Sequence, residues 1–103
     1  MEIGDKLYRP WSLDINDIDE YIVIGIEGDT IILPDKVYPT NHRIKLSDMN
    51  KKRGCFFTTY ENAVNNILHK IQKGIRQSIK QNKNDRLKWY LDKEAKFIED
   101  IKH

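Results

Sequence analysis

The sequence predicts an α+β fold, a small, strongly bent antiparallel sheet or barrel over residues 1–57 followed by a helical region over residues 58–103 packed on it. Three observations carry this. Short β-branched runs broken by Gly, Pro and Asp fill the first half. From Val64 onward apolar residues recur at three- and four-residue intervals, the period of a helix. The charge changes sign between the two: residues 1–50 hold ten acidic side chains against five basic, residues 51–103 six acidic against thirteen basic.

The elements follow in order. Ile3 to Tyr8 leads into a first strand that Pro10 stops, because proline has no N–H for the ladder. Leu13 to Glu20 mixes acidic residues with Leu13, Ile15 and Ile18 and reads as a loop or frayed strand. Tyr21-Ile22-Val23-Ile24-Gly25-Ile26 is the most β-branched run and reads as one strand. Glu27-Gly28-Asp29 is a tight turn, since Gly28 accepts positive φ, and Thr30 to Leu33 returns as the hairpin partner. Arg43 to Leu46 and Gly54 to Phe57 supply two more short strands. Ile22, Ile24, Ile31, Leu33 and Phe56 or Phe57 form the expected core, with Val64, Leu68 and Ile71 against them.

Thr58 and Glu61 stand at capping-box spacing, which starts a helix near Thr59 that runs to about Gln81. Its stripe is Val64, Ile67, Leu68, Ile71, Ile75 and Ile79. Asn82-Lys83-Asn84-Asp85 divides it from a second stripe of Leu87, Leu91, Ala95, Ile98 and Ile101. Asparagine can close a helix, and Asn84 or Asp85 can cap the next. A helical hairpin is favoured over one long bent helix. In the hairpin the second stripe is covered within the chain; in a long helix it needs a partner helix, and hence a homodimer through the C-terminal helices.

At 103 residues the chain is the size of one domain. Its longest apolar run, Tyr21 to Ile26, is far short of a membrane span, so no membrane partner is expected. The opening residues carry neither the basic start nor the apolar stretch of a signal peptide, and Cys55 is the only cysteine; both suit a cytoplasmic location. Cys55, between Gly54 and Phe56, reads as a buried structural thiol.

No motif predicts catalysis. The acidic cluster Asp14, Asp17, Asp19 and Glu20 fails the calcium-loop pattern, because its sixth position is Asp19 rather than glycine. His42, Cys55, His69 and His103 show no metal-ligand spacing, and Gly25, Gly28 and Gly54 form no phosphate loop. The sequence therefore predicts a protein that is not an enzyme and takes no cofactor or metal.

The basic positions are more informative. Lys70, Lys73, Arg76, Lys80 and Lys83 recur at helical intervals roughly opposite the first apolar stripe, and Lys51-Lys52-Arg53 makes a basic loop. Both can hold phosphates without reading sequence. Trp11, Tyr38, Trp89 and Tyr90 are the aromatics least tied to a strand. Trp89 and Tyr90 are adjacent, so on a helix both cannot enter one core, and one is a candidate contact residue.

Gly4-Asp5-Lys6-Leu7-Tyr8 followed by Tyr21 to Leu33 resembles the opening of an SH3-like barrel. Barrel then helical tail is similar in style to small accessory proteins of bacteriophages and mobile elements, some of them anti-CRISPR-like. The resemblance implies a binding role: inhibition or modulation of a host protein or nucleoprotein complex, such as a bacterial defence system. The alternative expectation is a sequence-nonspecific nucleic-acid-binding accessory protein that uses the basic helix and loop. The net charge of +2 favours the first, because a dedicated nucleic-acid binder is more strongly basic.

Overall fold

The computed structural model describes residues 1–35, 39–51 and 55–102. Its elements are β1 (Lys6–Pro10), a 3-10 turn (Ile15–Asp17), β2 (Ile18–Ile22), β3 (Gly25–Glu27), β4 (Thr30–Pro34), β5 (Asn41–Lys45), a second 3-10 turn (Leu46–Asp48), α1 (Tyr60–Lys80) and α2 (Asn84–Ile101). Two small antiparallel sheets, β1-β2 and β3-β4-β5, precede the helices, so the fold is α+β. The chain divides into two compact units, Met1–Arg9 with Asp19–Ala63, and Pro10–Ile18 with Val64–His103.

In the first unit the hairpin stands where the turn residues put it. Glu27 pairs with Thr30 and Ile26 with Ile31 across Gly28-Asp29. Gly28 takes φ +61° while Asp29 stays negative, the sign pattern of a II′ turn, whose twist suits a two-residue hairpin. β5 then pairs along β4 from Thr30↔Lys45 to Pro34↔Asn41.

The run Tyr21–Ile26 is not one strand. Val23 donates its N–H to the Asp5 carbonyl (2.9 Å) and accepts from the Gly4 N–H (2.8 Å), whereas Ile24 donates to the Ile32 carbonyl (3.0 Å). One residue therefore bonds the N-terminal segment and the next bonds β4, so the run is divided between the two sheets. The expected core residues on it are also out of phase. Tyr21 and Val23 are buried, while Ile22 and Ile24 stay 50% and 47% exposed. A strand alternates faces strictly, and where both phases are apolar a one-residue shift exchanges the buried set.

Leu7, Tyr21, Val23, Ile31, Leu33, Met49 and Phe56 make the core of this unit, flanked by Ile26 and Ile44. The expected strand over 54–57 reduces, among the described residues, to a single antiparallel bridge between Phe57 and Tyr8, with both backbone bonds made at 2.8–2.9 Å; Gly54 lies outside the described residues. Cys55 is exposed rather than buried. The helix cap sits one residue later than the capping box placed it: Thr59 Oγ1 accepts the Asn62 N–H at 3.0 Å. Thr58 is taken by Asn50, whose side chain accepts its N–H at 2.9 Å.

In the second unit α1 and α2 form a helical hairpin around Ile67, Ile71 and Phe97, with Leu13, Ile15, Ile18, Val64, Leu68 and Ile75 packed against them. The break between the helices is a Schellman closure. Lys83 donates its N–H to Ser78 O (3.0 Å), Asn82 donates to Ile79 O (3.2 Å), and Asn82 takes φ +53°. The start of α2 differs from expectation: Lys83 is the N-cap, with no side-chain bond, in place of Asn84 or Asp85.

The face that α2 buries also differs. Phe97 is buried and Tyr90 and Leu87 half-buried, while Leu91, Ile98 and Ile101 remain 45%, 47% and 52% exposed. The hairpin thus forms without covering the second stripe. The reason lies on α1, where Gly74 leaves a slot that the Tyr90 ring fills and so turns α2 by roughly a quarter turn from the orientation its aliphatic residues favour.

Candidate functional site

The sequence-expected contact residues divide between the two units. Lys51, in the first, is exposed and pairs with Asp48 at 3.6 Å across one turn. Lys52 and Arg53 lie outside the described residues, as do Tyr38 and His103. Lys70, Lys73, Arg76, Lys80, Lys83, Trp89 and Tyr90 all belong to the second unit.

On α1, Lys70, Lys73, Arg76 and Lys80 are exposed, opposite the buried Ile67, Ile71 and Ser78. At about 100° per residue they fall within an arc of about 120°. Among the described residues none of the four forms an ion pair. Among the described residues no carboxylate neutralises their charge. Lys83 follows at the turn, exposed, beside an open depression lined by Asn82, Lys83, Asn84, Asp85 and Arg86.

On α2, Trp89 and Tyr90 take different roles, as neighbours on a helix must. The Tyr90 ring packs on Gly74 of α1. Trp89 stays 49% exposed, its ring edge-to-face with Tyr90 at 4.9 Å and its indole under the Lys93 ammonium at 5.2 Å. Lys93 was not a sequence candidate; its i+4 spacing from Trp89 is the signal that finds it. The tryptophan is thus held in place by two side chains and still presents half its surface.

Across the same unit Asp14 and Lys96 form an ion pair, and the Asn16 side chain donates to Asp100 at 3.2 Å. The Lys96 hydrogen bond and the Asn16 backbone N–H hold the Asp14 carboxyl below the usual carboxylate range. Asp14 raises Lys96 in turn. Asp17 accepts from the Ser12 hydroxyl at 2.7 Å. Two members of the acidic cluster are therefore occupied in fixing the 10–18 segment.

The first unit contains a second chemical cluster that no local pattern announces. His42 Nε2 lies 3.0 Å from Asp35 Oδ2. The imidazole stands edge-on to Tyr21 at 6.2 Å and tilted to Phe56 at 6.1 Å, and the Arg9 guanidinium lies over Phe56 at 5.3 Å. Burial pushes the Tyr21 phenol up, against a smaller downward pull from Arg9. The carboxylate orients the imidazole, and the buried rings make this a packed polar edge of the core.

Among the described residues, no group of three or more His, Cys, Asp or Glu side chains is placed to hold a metal ion, and no helix is long and apolar enough to cross a membrane. No family model, no curated protein and no solved structure matches this chain.

Proposed function

We propose that this chain is a non-catalytic binding protein that attaches through its helical unit to an anionic surface of a host protein or nucleoprotein complex and modulates it, as inhibitors of bacterial defence systems do. The observation that supports this reading is the combination, in one unit, of a basic row (Lys70, Lys73, Arg76 and Lys80) that forms no ion pair among the described residues and a half-exposed tryptophan packed by Tyr90 and Lys93. Exposed cations steer association toward an acidic partner, and a rigid aromatic is the side chain that most often carries interface energy. The test is affinity purification from the native host with the original chain, Lys73→Glu/Lys80→Glu and Trp89→Ala. A partner retained by the first and lost from both variants supports the reading. Retention by all three overturns it.

The same basic row favours a second reading, direct nucleic-acid binding. It is separated from the first by titrating purified protein with generic duplex and single-stranded oligonucleotides at about 50 mM salt, where phosphate contacts are strong. Binding there favours the second reading; none leaves the modulator.

A further inference from the structure

The aliphatic row that the hairpin leaves open on α2 has a matching surface in the chain itself. Leu87, Leu91, Ala95 and Ile98 recur at intervals of four, four and three residues, a period close to that of a straight helix, so they stay in one line. Leu91 and Ile98 are about half exposed and Ala95 is exposed. Beside this line, at about 65–105° around the helix, runs an edge of exposed polar residues in the order Lys88, Asp92, Glu99.

The arrangement of that edge is self-complementary. Lys88 and Glu99 share a midpoint, between Lys93 and Glu94, and so do Asp92 and Ala95. Two α2 helices laid antiparallel about a two-fold axis at that midpoint bring Lys88 level with Glu99 of the second copy. Symmetry repeats the pair, so the contact carries it twice. The same axis interleaves the apolar row: Ile98 of the second copy falls between Leu87 and Leu91, and its Ala95 falls beside Leu91. Antiparallel helices carry like-numbered edges on the same side of the contact, so the row and the edge engage together.

We infer that the open row of α2 is the contact between two copies of this chain, paired antiparallel. The occupant follows from the charge order, since one register satisfies the Lys88–Glu99 pair twice and the apolar line at once. A row of four aliphatic side chains per copy is well short of the ~800 Å² per partner of a tight interface, so the dimer is concentration-dependent, with a dissociation constant on the order of micromolar or weaker.

Sedimentation equilibrium on the full chain, with Cys55→Ser to exclude disulfide cross-linking, tests this. The expected result is reversible monomer–dimer exchange between about 5 and 500 µM, the range in which a micromolar contact dissociates. Lys88→Glu and Glu99→Lys singly place like charges across the axis twice, and each weakens association about fivefold or more. The double exchange Lys88→Glu/Glu99→Lys restores it, which a parallel pairing would not do. Leu91→Asp, at a site that is half-exposed in the monomer and so compatible with folding, weakens it about a hundredfold. A folded, strictly monomeric chain at the top of that concentration range overturns the inference. So does a dimer indifferent to the charge variants, or one that the double exchange fails to restore.

Discussion

Gly74 of α1 lies directly beneath the ring of Tyr90 on α2, so close that a Cβ at position 74 would overlap the ring atoms Cδ1, Cε1 and Cζ. A glycine in the middle of a 21-residue helix costs about 1 kcal/mol in propensity relative to alanine. Here that cost admits an aromatic side chain against the α1 backbone. Ser78, one turn on, is buried and donates its hydroxyl to the Gly74 carbonyl at 2.8 Å, which satisfies the buried polar group.

Gly74→Ala is therefore destabilising despite the gain in helix propensity. Overpacking costs about 1–3 kcal/mol against about 1 kcal/mol gained, so the expected loss is about 1 kcal/mol, read from urea unfolding. In a Tyr90→Ala background the same change stabilises, because the ring is gone. A stabilising Gly74→Ala in the original chain would contradict the close approach.

Asn82 carries the reversal between the helices through its left-handed backbone. Asn82→Gly should leave stability unchanged or raise it by up to about 1 kcal/mol. Asn82→Val forces a β-branched residue into the left-handed region at about 1–2 kcal/mol. Equal stability of the two variants would show that the turn is not closed at this residue.

The Asp14–Lys96 pair makes the second unit sensitive to both extremes of pH. Asp14 titrates lower in the folded chain than its ordinary value near 3.9. Its contribution is complete above that value and is lost as pH falls through the lowered folded value. Lys96 titrates higher than its ordinary value near 10.4. Its contribution is complete below that value and is lost as pH rises through the raised one. Asp14→Asn should remove the acid dependence and weaken the alkaline one in thermal unfolding curves, whereas Lys96→Met should remove the alkaline dependence and only weaken the acid one, because the Asn16 N–H still favours the Asp14 carboxylate. An unchanged acid limb in Asp14→Asn would assign it to other carboxylates.

Cys55 is exposed, so a maleimide should modify the native chain at one site without denaturant. Protection until unfolding would place it in the core instead.

If Lys70, Lys73, Arg76, Lys80 and Lys83 hold phosphates, the logarithm of duplex affinity should fall against the logarithm of salt with a slope of about −4 to −5. Lys73→Glu/Lys80→Glu should flatten that slope by about 2 or more with circular dichroism unchanged, because both side chains are exposed. A slope that does not move would place any binding elsewhere on the chain.

Periodicity and turn chemistry by themselves determined the α+β class, the hairpin at Gly28 and the extent of α1, because each is encoded within a few adjacent residues; they favoured a break near Asn82 over one long bent helix without deciding it. The basic row was legible for the same reason: lysines at helical spacing opposite an apolar stripe need no distant partner to face water. Tertiary structure decided what local pattern leaves open. In Tyr21–Ile24 both strand phases are apolar, so only packing selected Tyr21 and Val23 over Ile22 and Ile24 as the buried pair. On α2 apolar residues cover more than one face, and the slot over Gly74 chose Tyr90 and Phe97 for the inside and left Leu91 and Ile98 out. The grouping of Pro10–Ile18 with the helices, through Asp14 to Lys96 and Asn16 to Asp100, joins residues more than 80 positions apart, where no local spacing carries information.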